Sequence, residues 1–154
     1  MQLLFRTFLA SLLLPVWFAA AAIAGPQDVI VENAWSRAST GTSRPGVAYL
    51  DIRNAGDEAV TLIGLRTDIA MMPEVHRTVT DANGVSSMSP AGEIEIAPGE
   101  TVTLNPGGLH VMLMRLTRPM IEGESYALTL VFFDGGEKTI EVPILGFAAR
   151  GPEG

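Results

Sequence analysis

The only two histidines of the chain each have a methionine nearby, and these four residues are the best candidates for chemistry. His110 and Met112 are separated by one residue in an apolar stretch that reads as a strand. Because side chains alternate between the two faces of a strand, both point to one face and can contact the same ion. His76 and Met88 flank Asn83-Gly84, a pair typical of hairpin turns. Since the arms of a hairpin lie about 5 Å apart, we expect these two side chains to converge as well.

The chemistry of these side chains favours copper(I). Imidazole binds several transition metals, whereas the uncharged thioether of methionine is a soft ligand that selects Cu(I) over hard ions. A set made of His76, Met88, His110 and Met112 carries no negative charge and would neutralise Zn²⁺ or Fe²⁺ poorly. The alternative is structural, because a single methionine is more often core filler and a single histidine more often a hydrogen-bonding residue.

A loop made of Asn, Pro and two Gly residues directly precedes the strand that contains His110. In Asn105-Pro106-Gly107-Gly108, the proline restricts one φ angle and the glycines permit conformations closed to other residues. Such a loop can hold the start of the strand at the edge of the domain, where a partner could reach it. Met114 lies two residues after Met112 and is predicted to share its face.

The segments that must position these residues have a β pattern throughout. Short apolar or alternating stretches recur from Val29 to Ile144, separated by turns rich in Gly, Pro and Asn. We find neither a convincing amphipathic helix nor an internal repeat, so the pattern predicts one antiparallel β-sandwich. Its predicted core includes Trp35, Leu50, Ile52, Leu62 and Leu104.

The first residues are typical of a signal peptide. Arg6 is the only charged residue among residues 1–24, an apolar stretch follows it, and Ala22-Ile23-Ala24 fits a small-x-small cleavage site. The uncharged segment Thr7–Ala24 is also close to the minimum of about 18 residues for a membrane anchor. Pro15 and the alanines favour cleavage after Ala24. We therefore predict a signal peptide over residues 1–24, a β-sandwich domain over residues 25–146, and a short flexible tail over residues 147–154.

Charge and cysteine content exclude several classes of function. Cleavage after Ala24 would leave 9 Lys and Arg against 17 Asp and Glu, a net charge of −8, and no basic cluster for nucleic acid. The sequence has no cysteine, which excludes thiolate metal sites, blue-copper centres, disulfide exchange and cysteine nucleophiles. No Ser/His/Asp arrangement is recognisable, so we do not expect an enzyme.

The spacing of the four candidate ligands and their flanking segments resemble a known family. Eleven residues separate His76 from Met88, twenty-one separate Met88 from His110, and Met112 completes a His-x-Met pair. This arrangement is similar to the motif of the PCu(A)C proteins, also written PCuAC, which are periplasmic copper chaperones of bacteria. The likeness runs from about Val29 to Ile144. The matching segments are Val31–Ala38, Gly46–Leu50, Ile52–Asn54 and Asn105–Met114.

The resemblance implies a cupredoxin-like Greek-key β-sandwich in the periplasm, with Cu(I) held by His76, Met88, His110 and Met112. It also implies that copper is passed by ligand exchange, without catalysis, in the assembly of cytochrome c oxidase. The receiving protein would be the CuA domain of that enzyme or a thiol-based copper chaperone. We expect the mature protein to be a monomer that is not embedded in a membrane.

Two departures from the family pattern leave alternatives open. The family usually has about ten residues between the first His and Met, one fewer than here, so Met72 or Met71 could replace Met88 as a ligand. The tail lacks a His- and Met-rich extension and offers no second, Cu(II)-type site. Glu74 and Arg77 could orient His76 but are more simply surface charges. A copper-scavenging or resistance protein and a metal-free structural sandwich remain alternative functions.

Overall fold

Ten β-strands make up most of the chain described by the structure, a computed structural model that covers residues 26–152. The predicted signal peptide, residues 1–24, lies outside the described residues. Within residues 26–152 no helical segment is long and apolar enough to span a bilayer. The strands, which follow a 3-10 turn at Pro26–Asp28, are β1 Val29–Arg37, β2 Gly46–Asn54, β3 Val60–Thr67, β4 Ala70–Thr80, β5 Ser86–Pro90, β6 Ile94–Ile96, β7 Thr101–Leu104, β8 Leu109–Leu116, β9 Ser125–Phe132 and β10 Glu137–Leu145.

The strands are hydrogen-bonded in the order β5-β4-β8-β2-β1-β10-β9-β3-β6, and β7 pairs with the second half of β2. All pairs are antiparallel except β1 and β10, which run parallel through Ser36 to Ile144 and Arg37 to Leu145. This short parallel contact joins two halves, β5-β4-β8-β2-β1 and β10-β9-β3-β6. The predicted all-β sandwich is confirmed, with one parallel junction that the sequence pattern did not reveal.

The apolar core lies between these two halves. Alternate residues of β2 and β8, such as Leu50 and Leu113, are buried together with Leu128 and Leu130 of β9. At roughly 25 cal/mol per Å² of apolar surface removed from water, this burial stabilises the sandwich without disulfides. Four of the predicted core residues, Leu50, Ile52, Leu62 and Leu104, belong to this cluster.

Trp35 is buried, but it does not belong to this core cluster. Asn33 takes a positive φ of 53°, and the register of β1 against β2 shifts between Glu32 and Trp35. This β-bulge brings Trp35 opposite Tyr49 on the outer face, with ring centroids 4.7 Å apart. The Arg37 guanidinium lies 5.6 Å from the centroid of the Trp35 ring. Trp35 is therefore buried as predicted, but it packs against Tyr49 and not within the main cluster.

Candidate metal centre

The pairing of β4 with β8 places the two histidines directly opposite each other, so both side chains lie on one face of the sheet. Their ring centroids are 6.3 Å apart, and the ring planes are inclined by 45°. An ion bound to a nitrogen of each ring at about 2.0 Å separates the ring centres by up to about 6 Å. His76 and His110 are thus spaced so that one ion could bridge them with little backbone movement.

His110 is held in a defined orientation. The residue is 4% exposed, and its Nδ1 lies 3.1 Å from the carbonyl oxygen of Gly108. In the tautomer in which Nδ1–H donates to that oxygen, Nε2 is left with a lone pair for a metal. The Gly108 carbonyl also accepts a hydrogen bond from the backbone N–H of Thr78 at 3.1 Å, which ties the loop to β4.

The loop before His110 is closed by its own hydrogen bonds. The N–H of Asn105 donates to the carbonyl of Leu109 at 2.8 Å, and Gly107 has a φ of +89°. A Cβ at Gly108 would lie 2.8 Å from Oδ1 of Asn105, so any larger residue there would displace this side chain. The tight loop expected from Asn105-Pro106-Gly107-Gly108 is confirmed, and it positions the start of β8.

The orientation of His76 is set by a residue of its own strand. Only 12% of its side chain is exposed, and Nε2 lies 3.3 Å from Oε2 of Glu74. In the tautomer in which Nε2–H donates to that carboxylate, Nδ1 is free to bind a metal. Arg77 pairs with Leu109 and Ser89 and occupies the next position of the strand, so its side chain belongs to the opposite face. Of the two charged neighbours considered from the sequence, Glu74 is the one in contact with His76.

Met112 and Met88 lie on opposite sides of the histidine pair. Met112 is opposite Glu74, two residues from His110 along β8 and on the same face. Met88 is opposite Thr78 on β5, one strand farther from His110, and it is 61% exposed. The structure therefore groups His76, His110 and Met112 most closely and leaves Met88 on the neighbouring hairpin arm.

The β4–β5 hairpin is regular, and its turn is long. Pairing continues without a bulge from Thr80 opposite Ser86 to His76 opposite Pro90. The turn is stabilised by the Asp81 carboxylate, which accepts hydrogen bonds from the N–H groups of Asn83 and Val85 at 2.8 and 2.9 Å. Gly84 has a φ of +79°, whereas Asn83 does not take a positive φ. The hairpin expected around Asn83-Gly84 is therefore confirmed, with a long turn between Thr80 and Ser86.

Two features of the strands around the hairpin are not evident from the sequence. β5 continues through Pro90, because this edge strand needs no hydrogen bond on its outer side. β4 already begins at Ala70 and so includes both Met71 and Met72. Met72 is opposite Met114 and shares the face of His76, a pairing that the sequence reasoning missed. The alternation Met72-Glu74-His76 was the signal that could have revealed it.

The donors available on this face decide which metals fit. Across residues 26–152, no group of three or more His, Asp or Glu side chains is placed to hold a metal ion. A site centred on the two histidines therefore depends on methionine sulfur for further ligands. Neutral nitrogen and thioether donors fit a soft monovalent ion better than a hard divalent one.

Comparison with known proteins gives the family of the chain. Residues 29–144 match the family described as "Putative lipoprotein LpqE-like". The protein Lxx21020 of Leifsonia xyli subsp. xyli, whose name carries the same lipoprotein description, is 35% identical over 133 residues. That alignment covers 84% of this chain and 78% of the relative.

Solved PCuAC structures share the fold. The copper-bound PCuAC domain from PmoF2 is 25% identical, with a TM-score of 0.63 over 77% of this chain and 93% of that domain. The solution structure of Cu(I)-DR1885 from Deinococcus radiodurans is 30% identical, with a TM-score of 0.60 over 84% of this chain and 85% of that protein. The chain therefore belongs to the LpqE-like family and is a PCuAC protein, as the sequence resemblance indicated.

Proposed function

We propose that this protein is a copper(I)-binding chaperone that holds one Cu(I) between His76, His110 and Met112. Met88 completes the site when the β4–β5 hairpin moves toward the histidines. The observation that carries the proposal is the histidine pair, opposite each other on β4 and β8 with ring centroids 6.3 Å apart. The copper-bound PmoF2 domain and Cu(I)-DR1885 show that relatives of this fold bind the metal.

Release of copper would occur by ligand exchange. Met112 is half-buried and Met88 exposed, so a partner can approach the ion from the thioether side while the shielded imidazoles still hold it. Thiolates bind Cu(I) more strongly than thioethers do, and a partner with cysteine ligands would draw the ion away. We propose the CuA domain of cytochrome c oxidase or a thiol-based copper chaperone as the receiver. The protein itself breaks no covalent bond and is not an enzyme.

A titration and a transfer assay test this function together. Residues 25–154, titrated with Cu(I) against a competing chelator, are expected to bind one equivalent. Mixed with an apo CuA domain, the loaded protein is expected to lose its copper to that domain. Copper that binds but moves neither to the CuA domain nor to a thiol-based copper chaperone would favour a scavenging or resistance protein. Failure to bind Cu(I) at all would favour a metal-free structural sandwich.

We propose that the protein is exported to the periplasm and released as a soluble monomer by cleavage after Ala24. The family description suggests a lipoprotein, but no cysteine is present in the 154 residues to take a lipid. Mass spectrometry of the exported protein should find Gly25 as its first residue, without added lipid. A product that retains residues 1–24 would instead support the membrane-anchor alternative.

Replacing Glu74 with glutamine is expected to weaken Cu(I) binding by roughly 10-fold, because partners that orient a ligating histidine contribute on this scale. Glutamine keeps the length of the side chain but removes the negative charge of the carboxylate. That charge favours the tautomer of His76 in which Nε2 carries the proton and donates it to Glu74. Competition titration measures the change. Glu95→Gln, an exposed carboxylate on β6 in the other half of the sandwich, is the matched control. Equal effects of the two variants would mean that Glu74 acts only through net charge.

A further inference from the structure

The methionines are concentrated around the histidines. The chain has seven methionines, and the three neighbouring strands β5, β4 and β8 carry five of them. Met120 is 1% exposed and is the one methionine of the described residues that packs within the apolar core cluster. The other five all keep contact with solvent, which ordinary core filling does not explain. They are Met71, Met72, Met88, Met112 and Met114.

Three of the five share one patch of the sheet face. Met72 and Met114 are directly opposite each other on β4 and β8, and Met112 precedes Met114 by two residues. Opposed Cβ atoms in an antiparallel pair lie about 5 Å apart, and diagonal neighbours about 7 Å. The unbranched methionine side chain has three rotatable bonds, so all three sulfur atoms can reach a common point above the sheet. Met72 is 42% exposed, which leaves that point open to an ion from solution.

We propose that Met72, Met112 and Met114 form a second binding site, made only of thioethers, for a soft monovalent ion such as Cu(I). Three neutral sulfur donors suit such an ion better than Ca²⁺, Mg²⁺ or Zn²⁺, and the carboxylate of Glu74, opposite Met112 on the same face, contacts His76. The site is weaker than one that includes imidazole. It goes beyond the single copper site proposed above, with which it shares Met112.

The position of the second site suggests how it serves the first. Met112 lies between the histidine pair and the Met72–Met114 pair, so the two sites are joined through one sulfur atom. An ion bound by the three methionines can move to the histidines by exchanging two ligands while Met112 remains bound. The methionine patch therefore acts as a loading position at the exposed end of the site.

The test uses Ag(I), a redox-stable probe for soft ligands, and a variant that lacks the first site. In His76→Ala/His110→Ala, we follow the methionine methyl signals by NMR during the titration. One equivalent of Ag(I) is expected to shift the methyl signals of Met72, Met112 and Met114 together. Adding Met72→Leu or Met114→Leu, changes that nearly conserve volume, is expected to weaken this binding at least about 10-fold.

Met71→Leu in the same double variant is the matched control, since Met71 is an exposed methionine of β4 whose side chain belongs to the face opposite that of Met72. It is expected to leave the residual binding unchanged. Equal weakening by Met71→Leu and Met72→Leu, or no concerted shift of the three methyl signals, would overturn the second site. The proposed copper function is judged separately, by whether the protein with both histidines binds Cu(I) more tightly than the double variant.

Discussion

Replacing His110 with alanine is expected to lower the affinity for Cu(I) by more than about 100-fold. Changes in residues that only orient a metal ligand already cost about 10–100-fold, and His110 is proposed as a ligand itself. Its imidazole is 4% exposed, and the hydrogen bond from Nδ1 to Gly108 orients it before the ion arrives. The chain contains one other histidine, His76, which is already part of the site. No other imidazole in the sequence could take its place.

The comparison requires a folded variant. Circular dichroism and thermal unfolding of the apo-protein would show whether His110→Ala retains the sandwich, and His110→Gln offers a larger, polar replacement if it does not. Thr78→Ala is the control, because it removes a side chain from the same face without removing a proposed ligand. A folded His110→Ala protein that binds Cu(I) within about threefold of the original would contradict the central role of this imidazole.

The parts of the site that depend on local geometry were predictable from the sequence. The alternation of a strand placed His110 and Met112 on one face, and the composition of Asn105–Gly108 indicated the tight loop. The opposition of His76 and His110 was not predictable in this way, because it depends on the register of β4 against β8. Register follows from the apolar residues that each strand buries, and a slip by two residues would keep the same face buried.

Backbone irregularities account for the local details that the sequence did not reveal. Asparagine is among the residues that tolerate a positive φ, but the type of residue alone did not reveal that Asn33 forms a bulge and turns Trp35 outward. The Asn83-Gly84 pair correctly indicated a hairpin, while the conformation of the turn depends on the hydrogen bonds of Asp81. In both places the outcome was decided by contacts among several residues, which composition alone does not specify.

Met112→Leu is expected to weaken Cu(I) binding about 10-fold more than Met88→Leu does. From strand spacing, the Cα atoms of Met112 and His110 are about 7 Å apart, whereas those of Met88 and His110 are about 12 Å apart. Met88 must therefore move with its hairpin to reach an ion held by both histidines. It is 61% exposed, and ordering a free methionine side chain costs roughly 1.5–2 kcal/mol, which offsets much of what its sulfur contributes. Met112 is half-buried and already partly ordered.

Competition titrations of the two leucine variants measure this difference, with Met71→Leu as the control for an equally small change at an exposed methionine. Leucine nearly conserves the volume of methionine, so loss of the sulfur is the main change in each variant. A loss in Met88→Leu equal to or larger than that in Met112→Leu would mean that the hairpin already lies over the histidines before copper binds. In that case the long turn between Thr80 and Ser86 would serve to bring Met88 inward, and all four predicted ligands would act as one preorganised set.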